Sequence, residues 1–295
     1  MKKIKTLFYM LTAAVAVLLC APAAAQSLYE HVITVDRFYP NDGDCHDGIL
    51  FQFHSQNHKP EGDYNGCSVI DLEARTLIQF IDLGFNQNFH NSSITFGRKK
   101  YSKTDRFPLL YASENYAPNE YYKVIVYRVV ETGEASAPYS LDVVQTINMP
   151  DPHAAGILYP HCFYDREGDC FWIEAYSADK KQNVYTRYRL PRFKAGSTVD
   201  MGRPLRTFRL PRDPKTDQSI CKRGDRMYQV VGARKTGKLR IIDVDEGALL
   251  NVINLNDMGL IHEPEAVFFH KDDLYITFFE EGKTAIYRMA PSVYR

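Results

Sequence analysis

The sequence predicts an all-β protein, a five-bladed β-propeller whose blades have four strands each. A short run that alternates apolar and polar residues, as a half-buried strand does, returns five times: Tyr29–Val35, Leu77–Leu83, Val143–Met149, Leu205–Pro211 and Leu249–Leu255. Four of these runs lie roughly 45–65 residues apart, in the range of a propeller blade. The remaining run precedes the repeats, and the last repeat lacks one strand. A ring of blades that is closed by the first run accounts for both facts.

Each repeat is expected to begin with a strand that faces the central channel, followed by two middle strands and one outer run. The five opening segments are residues 41–46, His90–Gly97, Tyr159–Asp165, Asp217–Arg223 and His262–His270. Because the fifth repeat ends one strand short, we expect Tyr29–Val35 to pair with Ala285–Ala290 and to complete that sheet. No segment has a sustained helical period, and proline and glycine recur throughout the chain.

Charge and cysteine content narrow the classes of function. The 295-residue chain carries 36 basic and 36 acidic residues, so there is no positive excess to attract nucleic acid. The cysteine spacing fits no zinc-binding pattern. Cys162 and Cys170 flank a predicted hairpin turn and are expected on adjacent strands, either as a disulfide or as two buried thiols.

The first 25 residues have the features of a signal peptide. Three lysines among the first five residues precede an apolar core, Leu7–Cys20, and Ala23–Ala25 supplies a cleavage motif before Gln26. We therefore expect export to the periplasm or the extracellular space, with residues 26–295 forming a single propeller domain and a monomer. Lipid anchoring at Cys20 is the alternative. No later stretch is long and apolar enough to span a bilayer.

Several segments resemble known bacterial propellers. The predicted third strands VIDLEA, VIVYRV and RIIDVDE are each followed by a turn and another strand, as in bacterial β-propeller repeats. The segment HEPEAVFFHKDDLYI resembles the E-P-E-G…D-x-L-Y segment of the TolB-like and SdiA-regulated propeller families, although Ala266 stands where glycine is usual. HNSSITFG and DRFPLLYAS resemble uncharacterised secreted bacterial propellers. This resemblance implies a propeller fold and adds a six-bladed TolB-like ring as an alternative.

The openings of the inner strands supply the candidate site, because a propeller gathers them on one face around the channel. The candidate ligand-binding residues are Asp42, Asp44, His90, Asn91, His161, Gln218, His262, Glu263 and Glu265. Cys45, Tyr159 and Asp217 belong to the same ring of openings. A competing interpretation is that such residues only satisfy backbone groups around a water-filled channel. His54 and His270 are expected to be solvated.

Three functions are compatible with this ring. The first is an exported propeller that binds a small molecule, a glycan or a protein, with no cofactor. The second is a glycoside hydrolase, which needs two carboxyl groups facing each other across the bond; here these would be Asp42 or Asp44 against Glu263 or Glu265. The third is a metal-dependent lactonase or esterase, with a divalent cation held by oxygen atoms of Glu265, Asn91 and Gln218.

Overall fold

The strands of the chain form five antiparallel sheets that follow one another along the sequence. The computed structural model describes residues 27–36, 39–56, 63–86, 91–114, 122–152 and 154–295. The predicted signal peptide and His90 lie outside these residues, so both remain predictions. No helix in the described residues is long and apolar enough to cross a membrane.

Each sheet is one blade, and its strands run in order from the channel to the outside. Blade one consists of β2 (Pro40–His46), β3 (Ile49–Gln56), β4 (Asp63–Asp71) and β5 (Thr76–Asn86). Blade two consists of β6 (Asn91–Phe96), β7 (Leu110–Glu114), β8 (Lys123–Glu131) and β9 (Tyr139–Asn148). Blade three consists of β10 (Ile157–Asp165), β11 (Cys170–Ser177), β12 (Gln182–Arg189) and β14 (Pro204–Pro211). Blade four consists of β15 (Asp217–Arg223), β16 (Arg226–Val231), β17 (Lys238–Asp243) and β18 (Ala248–Asn254).

Blade five consists of β19 (Glu263–His270), β20 (Asp273–Glu280), β21 (Lys283–Met289) and the displaced strand β1 (Tyr29–Val35). Strand β1 runs antiparallel to β21, from the pair Tyr29–Met289 to the pair Val35–Thr284. The predicted closure of the ring is therefore confirmed, and the described chain has five blades and not six.

One strand was not predicted. The four-residue strand β13 (Ser197–Asp200) leaves the connection between β12 and β14 and pairs in parallel with β9 of blade two. It covers an outer edge that would otherwise be open to pairing with another chain. A strand of four residues is too short to show a period-2 pattern in the sequence. The described helical elements are a 3-10 helix (Leu255–Met258) and α1 (Pro291–Tyr294).

The apolar core lies between the blades. In the described residues there are five clusters of buried apolar side chains, and each joins one blade to the next around the ring. Cys162 belongs to the cluster between blades two and three, whereas Cys170 belongs to the cluster between blades three and four. The two cysteines lie on adjacent strands as predicted, but their side chains enter different clusters and both are free thiols.

Candidate functional site

The five inner strands share a β-bulge near the end at which each strand enters the channel. In β19, for example, Pro264 lies opposite Phe278 and Ala266 lies opposite Thr277, so Glu265 is an extra residue. The bulges fall at Asn41–Asp42, Ser92, Tyr159–Pro160, Gln218 and Glu265. A bulge turns side chains away from the alternation of a regular strand. We call the surface formed by Tyr39, Asp42, Tyr159, Gln218, Glu263 and Glu265 the upper mouth.

Asp42 lies at the floor of the upper mouth and joins the blades across the channel. Its Oδ1 accepts hydrogen bonds from the Gly43 amide at 2.8 Å and from the Ser219 hydroxyl at 2.9 Å, and its Oδ2 accepts from the Ile94 amide at 2.8 Å. Ser219 Oγ in turn accepts from the Val267 amide at 3.1 Å. Burial raises the pKa of Asp42, and the three donors act in the opposite direction. Burial is the larger effect, so the pKa of Asp42 is raised well above its usual range, although less than it would be without the donors.

Asp44 does not lie in the upper mouth with Asp42. It accepts hydrogen bonds from the Phe96 amide at 2.7 Å and the Cys45 amide at 2.8 Å, and it forms an ion pair with Arg166. Arg166 reaches across from the turn of blade three and also donates to the Phe96 carbonyl at 2.8 Å. The Asp42–Ser219 and Asp44–Arg166 contacts therefore cross the channel at two levels.

Glu265 is the carboxyl group of the upper mouth that has no hydrogen-bond partner among the described residues. Only 6% of the residue is exposed, and it makes no hydrogen bond within the described part of the chain. Burial, followed by the nearby charges of Glu263 and Asp42, raises the pKa of Glu265 well above its usual range. Glu263, in contrast, accepts a hydrogen bond of 2.9 Å from Gln218 Nε2. The ring of openings predicted from the sequence contained Asp42, Gln218, Glu263 and Glu265.

A second carboxyl pair lies beside the mouth, between blades three and four. Glu174 and Asp217 are both buried, and the side chain of Asn183 links their carboxyl groups. Asn183 Nδ2 donates to Asp217 Oδ2 at 2.7 Å and also to Glu174. Burial and the neighbouring Asp217 charge raise the pKa of Glu174 well above its usual range. Glu174 was not predicted, because it stands in a middle strand, CFWIEAYS, that resembles blade core.

The predicted histidines and Asn91 are placed as follows. His161 lies in β10 opposite Glu174 and is buried. His262 lies with its Nε2 at 3.1 Å from Glu280 Oε1 of the same blade, so it pairs within blade five. Asn91 begins β6, but its side chain is outside the described part of the chain, and so is the whole of His90. In the described ranges, no group of three or more His, Cys, Asp and Glu side chains could hold a metal ion.

The opposite end of the channel forms a separate pocket of about 530 Å³. It is lined by Cys45, His46, Asp47, Glu73, Arg166, Glu167, Lys222, Arg223, Phe269, His270 and Lys271. Cys45 Sγ lies 3.5 Å from His270 Nδ1, and burial raises the pKa of this thiol, which favours its protonated form. The expectation of solvated histidines is wrong: His270 is buried in this pocket, and His54 is buried and bonded to Ser68 Oγ at 2.8 Å.

No protein-family model matches the chain, and no curated protein matches it in sequence. Among solved structures, the GH43_1 enzyme from Xanthomonas citri complexed with xylose shares 13% identity, with coverage of 92% of each chain and a TM-score of 0.46. A GH43 β-1,3-galactosidase with galactodeoxynojirimycin shares 10% identity, with coverage of 84% of this chain and 89% of that chain and a TM-score of 0.45. A glucose dehydrogenase shares 11% identity, with coverage of 82% and 78% and a TM-score of 0.43.

At these identities and TM-scores the similarities do not support an inference about function. The five-bladed architecture rests on the strand pairing described above. The resemblance to the TolB-like and SdiA-regulated families is not confirmed.

Proposed function

We propose that the upper mouth binds a glycan and hydrolyses a glycosidic bond, with Glu265 as the general acid. The observation that supports this proposal is the position of Glu265: a bulge turns it towards the channel, beside Asp42, and no described residue hydrogen-bonds its carboxyl group. A glycosidase needs one carboxyl group that keeps its proton and a second that has lost it. The burial of Glu265 and the donors around Asp42 favour that division.

Asp42 is the partner carboxylate in this proposal. Its Oδ2 accepts one described hydrogen bond, from Ile94, so a lone pair remains to orient a water molecule or to stabilise positive charge on the sugar. Asp44 is excluded from this role because it is engaged by Arg166 on the other side of the Asp42–Ser219 contact. Glu263, fixed by Gln218, is left to bind a substrate hydroxyl.

A second candidate function is glycan binding without hydrolysis. One observation favours it: both oxygens of Asp42 already accept hydrogen bonds that hold the ring together. A carboxylate that serves as a structural acceptor has less freedom to activate water. The two candidates share the ligand class and differ in whether Asp42 acts in chemistry.

Substitution of the two carboxyl groups distinguishes the candidates. The wild-type protein and the variants Glu265→Gln and Asp42→Asn would be assayed with aryl glycosides and with neutral oligosaccharides, and binding would be measured by calorimetry. We expect the Glu265→Gln variant to lose about 10²- to 10⁴-fold in kcat, the usual contribution of a general acid, while it still binds oligosaccharide. Glu280→Gln is the control, because Glu280 pairs with His262 on the same blade.

The outcomes of these assays distinguish hydrolysis from binding without hydrolysis. If the wild-type protein binds oligosaccharides but hydrolyses none of them, the second candidate is correct. If it neither binds nor hydrolyses any glycan, the proposed function is wrong. The melting temperature of each variant would be recorded, because Asp42→Asn also removes an acceptor that joins the blades.

A further inference from the structure

We infer that Tyr39 and Tyr159 are two sugar-stacking platforms of the upper mouth, and that its ligand is a chain of neutral sugars and not a single sugar. This inference rests on the proposed function and deepens it, because it names the class of glycan. It is carried by two exposed aromatic side chains on blades that are not neighbours, with the carboxyl groups of the mouth in the same ring.

Tyr159 is held in a conformation that its side chain disfavours. Its φ angle is +51°, in the left-handed region where glycine and asparagine are the usual residues. Pro160 follows it, and a residue before proline prefers extended backbone. Strain of this kind persists only where the surrounding structure imposes it, and it is concentrated at functional sites.

Packing of the Tyr159 side chain does not explain why a tyrosine stands there. The residue is 49% exposed, and its ring meets Tyr176 only edge-on, with 6.0 Å between the ring centroids. Lys180 Nζ is also 6.0 Å from the ring centroid. A glycine or an asparagine would relieve the backbone at little cost in buried area. An exposed aromatic ring in a strained bulge at the mouth of the channel is instead suited to contact a ligand.

Tyr39 is a second exposed ring, directly before β2 of blade one. It is 44% exposed and stacks on Phe279, with 3.9 Å between the ring centroids and 26° between the ring planes. Phe279 lies opposite Glu263 in blade five. Burial raises the pKa of Tyr39, and the nearby charges of Glu263 and Glu265 add to the rise. Tyr39 thus has one covered face, one exposed face and carboxyl groups nearby. A sugar ring stacked on the exposed face could have its hydroxyl groups bound by Glu263.

The carboxyl groups of the mouth and the spacing of the two tyrosines select among glycans. Five carboxyl groups line or adjoin it: Asp42, Glu174, Asp217, Glu263 and Glu265. Uronic acids and sulfated sugars would meet repulsion from the ionised members of this set, whereas neutral sugars would meet hydrogen-bond acceptors. Because the two platforms belong to blades one and three, one monosaccharide is not expected to contact both. Longer chains should therefore bind more tightly than single sugars.

The test measures the stability and the glycan binding of the Tyr159→Asn variant and compares each with the wild type. Asparagine is chosen because it tolerates the left-handed conformation. The probes are xylose, xylohexaose and galactohexaose, with hexagalacturonate as the charged counterpart, measured by calorimetry. We expect Tyr159→Asn to melt at the wild-type temperature or above it, and to bind one of the neutral hexasaccharides at least tenfold more weakly. Tyr39→Ala should show a similar loss of binding. Tyr101→Ala is the control, because Tyr101 is 40% exposed but lies between β6 and β7, at the other end of blade two.

Four results would overturn the inference, and they are distinguishable from one another. If the wild-type protein binds neutral hexasaccharides and both tyrosine variants bind them equally well, the platforms are wrong while the proposed function stands. If hexagalacturonate binds more tightly than the neutral probes, or xylose binds as tightly as xylohexaose, the ligand class is wrong. If no glycan binds to the wild-type protein, the proposed function and this inference fall together.

Discussion

At the scale of single residues, the upper mouth sets similar carboxyl groups in different surroundings. Asp42 accepts three hydrogen bonds, Glu263 accepts one from Gln218, and Glu265 has none within the described residues. Burial raises the pKa of all three carboxyl groups, and donors oppose that rise at Asp42 and Glu263 but not at Glu265. A difference of this kind is the condition for acid and base roles in one site. The surroundings, and not the residue types, define the candidate acid.

The buried carboxyl group of Glu265 should make stability depend on pH. An unfolded glutamate releases its proton near pH 4.3, whereas folded Glu265 keeps its proton to a higher pH. As the pH rises above the pKa of the unfolded glutamate, the free energy of unfolding falls by up to about 1.4 kcal/mol per pH unit. Glu265→Gln removes this dependence, so the variant should gain stability relative to wild type between pH 4 and pH 7.

Denaturant unfolding of both proteins across this range would measure the difference in the free energy of unfolding. Glu263→Gln is a control with a smaller expected effect, because Gln218 donates to its carboxyl group and opposes the rise in pKa. A difference between wild type and Glu265→Gln that stays constant from pH 4 to pH 7 would contradict a protonated Glu265.

At the scale of elements, the strands were predictable from sequence and the bulges were not. Strand β1 was predicted with its observed bounds, Tyr29–Val35. The alternation of apolar and polar residues with period two can be seen in one strand without knowledge of its partner. A bulge adds one residue to one strand of a pair, and its position depends on the partner strand. Residues such as Gln218 could therefore be assigned to a ring of openings, but the turn of their side chains into the channel could not be foreseen.

Several site residues could not be predicted for the same reason. Glu174 stands among CFWIEAYS, where large apolar neighbours predict core packing, and only the pairing of blades three and four brings it to Asp217. Tyr39 precedes its strand and has no periodic context. Asp44 was placed at the mouth because it is near Asp42 in sequence, although Arg166, from a turn more than 120 residues away, holds it at the other level.

The closing strand β1 should contribute strongly to stability through its buried side chains. Val35 is buried in the cluster between blades five and one, whereas Thr34 beside it is exposed. Val35→Ala should lower the free energy of unfolding by about 2 kcal/mol, since it leaves a small cavity at the seam. Thr34→Ala on the same strand should change the free energy of unfolding by less than about 0.5 kcal/mol. Equal, small effects of both substitutions would show that the first strand does not hold the ring closed.

At the scale of the whole molecule, contacts across the axis supplement the seams between neighbouring blades. Asp42 on blade one meets Ser219 on blade four, and Asp44 on blade one meets Arg166 from blade three. These blades are not adjacent in the ring, so the contacts tie the blades through the centre. They also separate the upper mouth from the pocket at the other end. Substitutions in that pocket are therefore expected to leave binding at the upper mouth unchanged.

The Asp44–Arg166 pair is the contact whose loss should affect the whole ring. Asp44 is almost fully buried, so Arg166→Met would leave its charge without a cation and should lower the free energy of unfolding by about 3 kcal/mol at pH 7. The double variant Arg166→Met with Asp44→Asn should recover part of this loss, because the buried charge is gone. The deficit of the single variant should also shrink towards pH 4, where protonation of Asp44 becomes easier without its cation.

The control is Arg226→Met, whose arginine lies 3.9 Å from Asp225 in an exposed turn and should contribute less than about 0.5 kcal/mol. Equilibrium unfolding of the wild type and the three variants in urea at both pH values would give these differences. If Arg166→Met is no more destabilising than Arg226→Met, the blades are held by their seams alone.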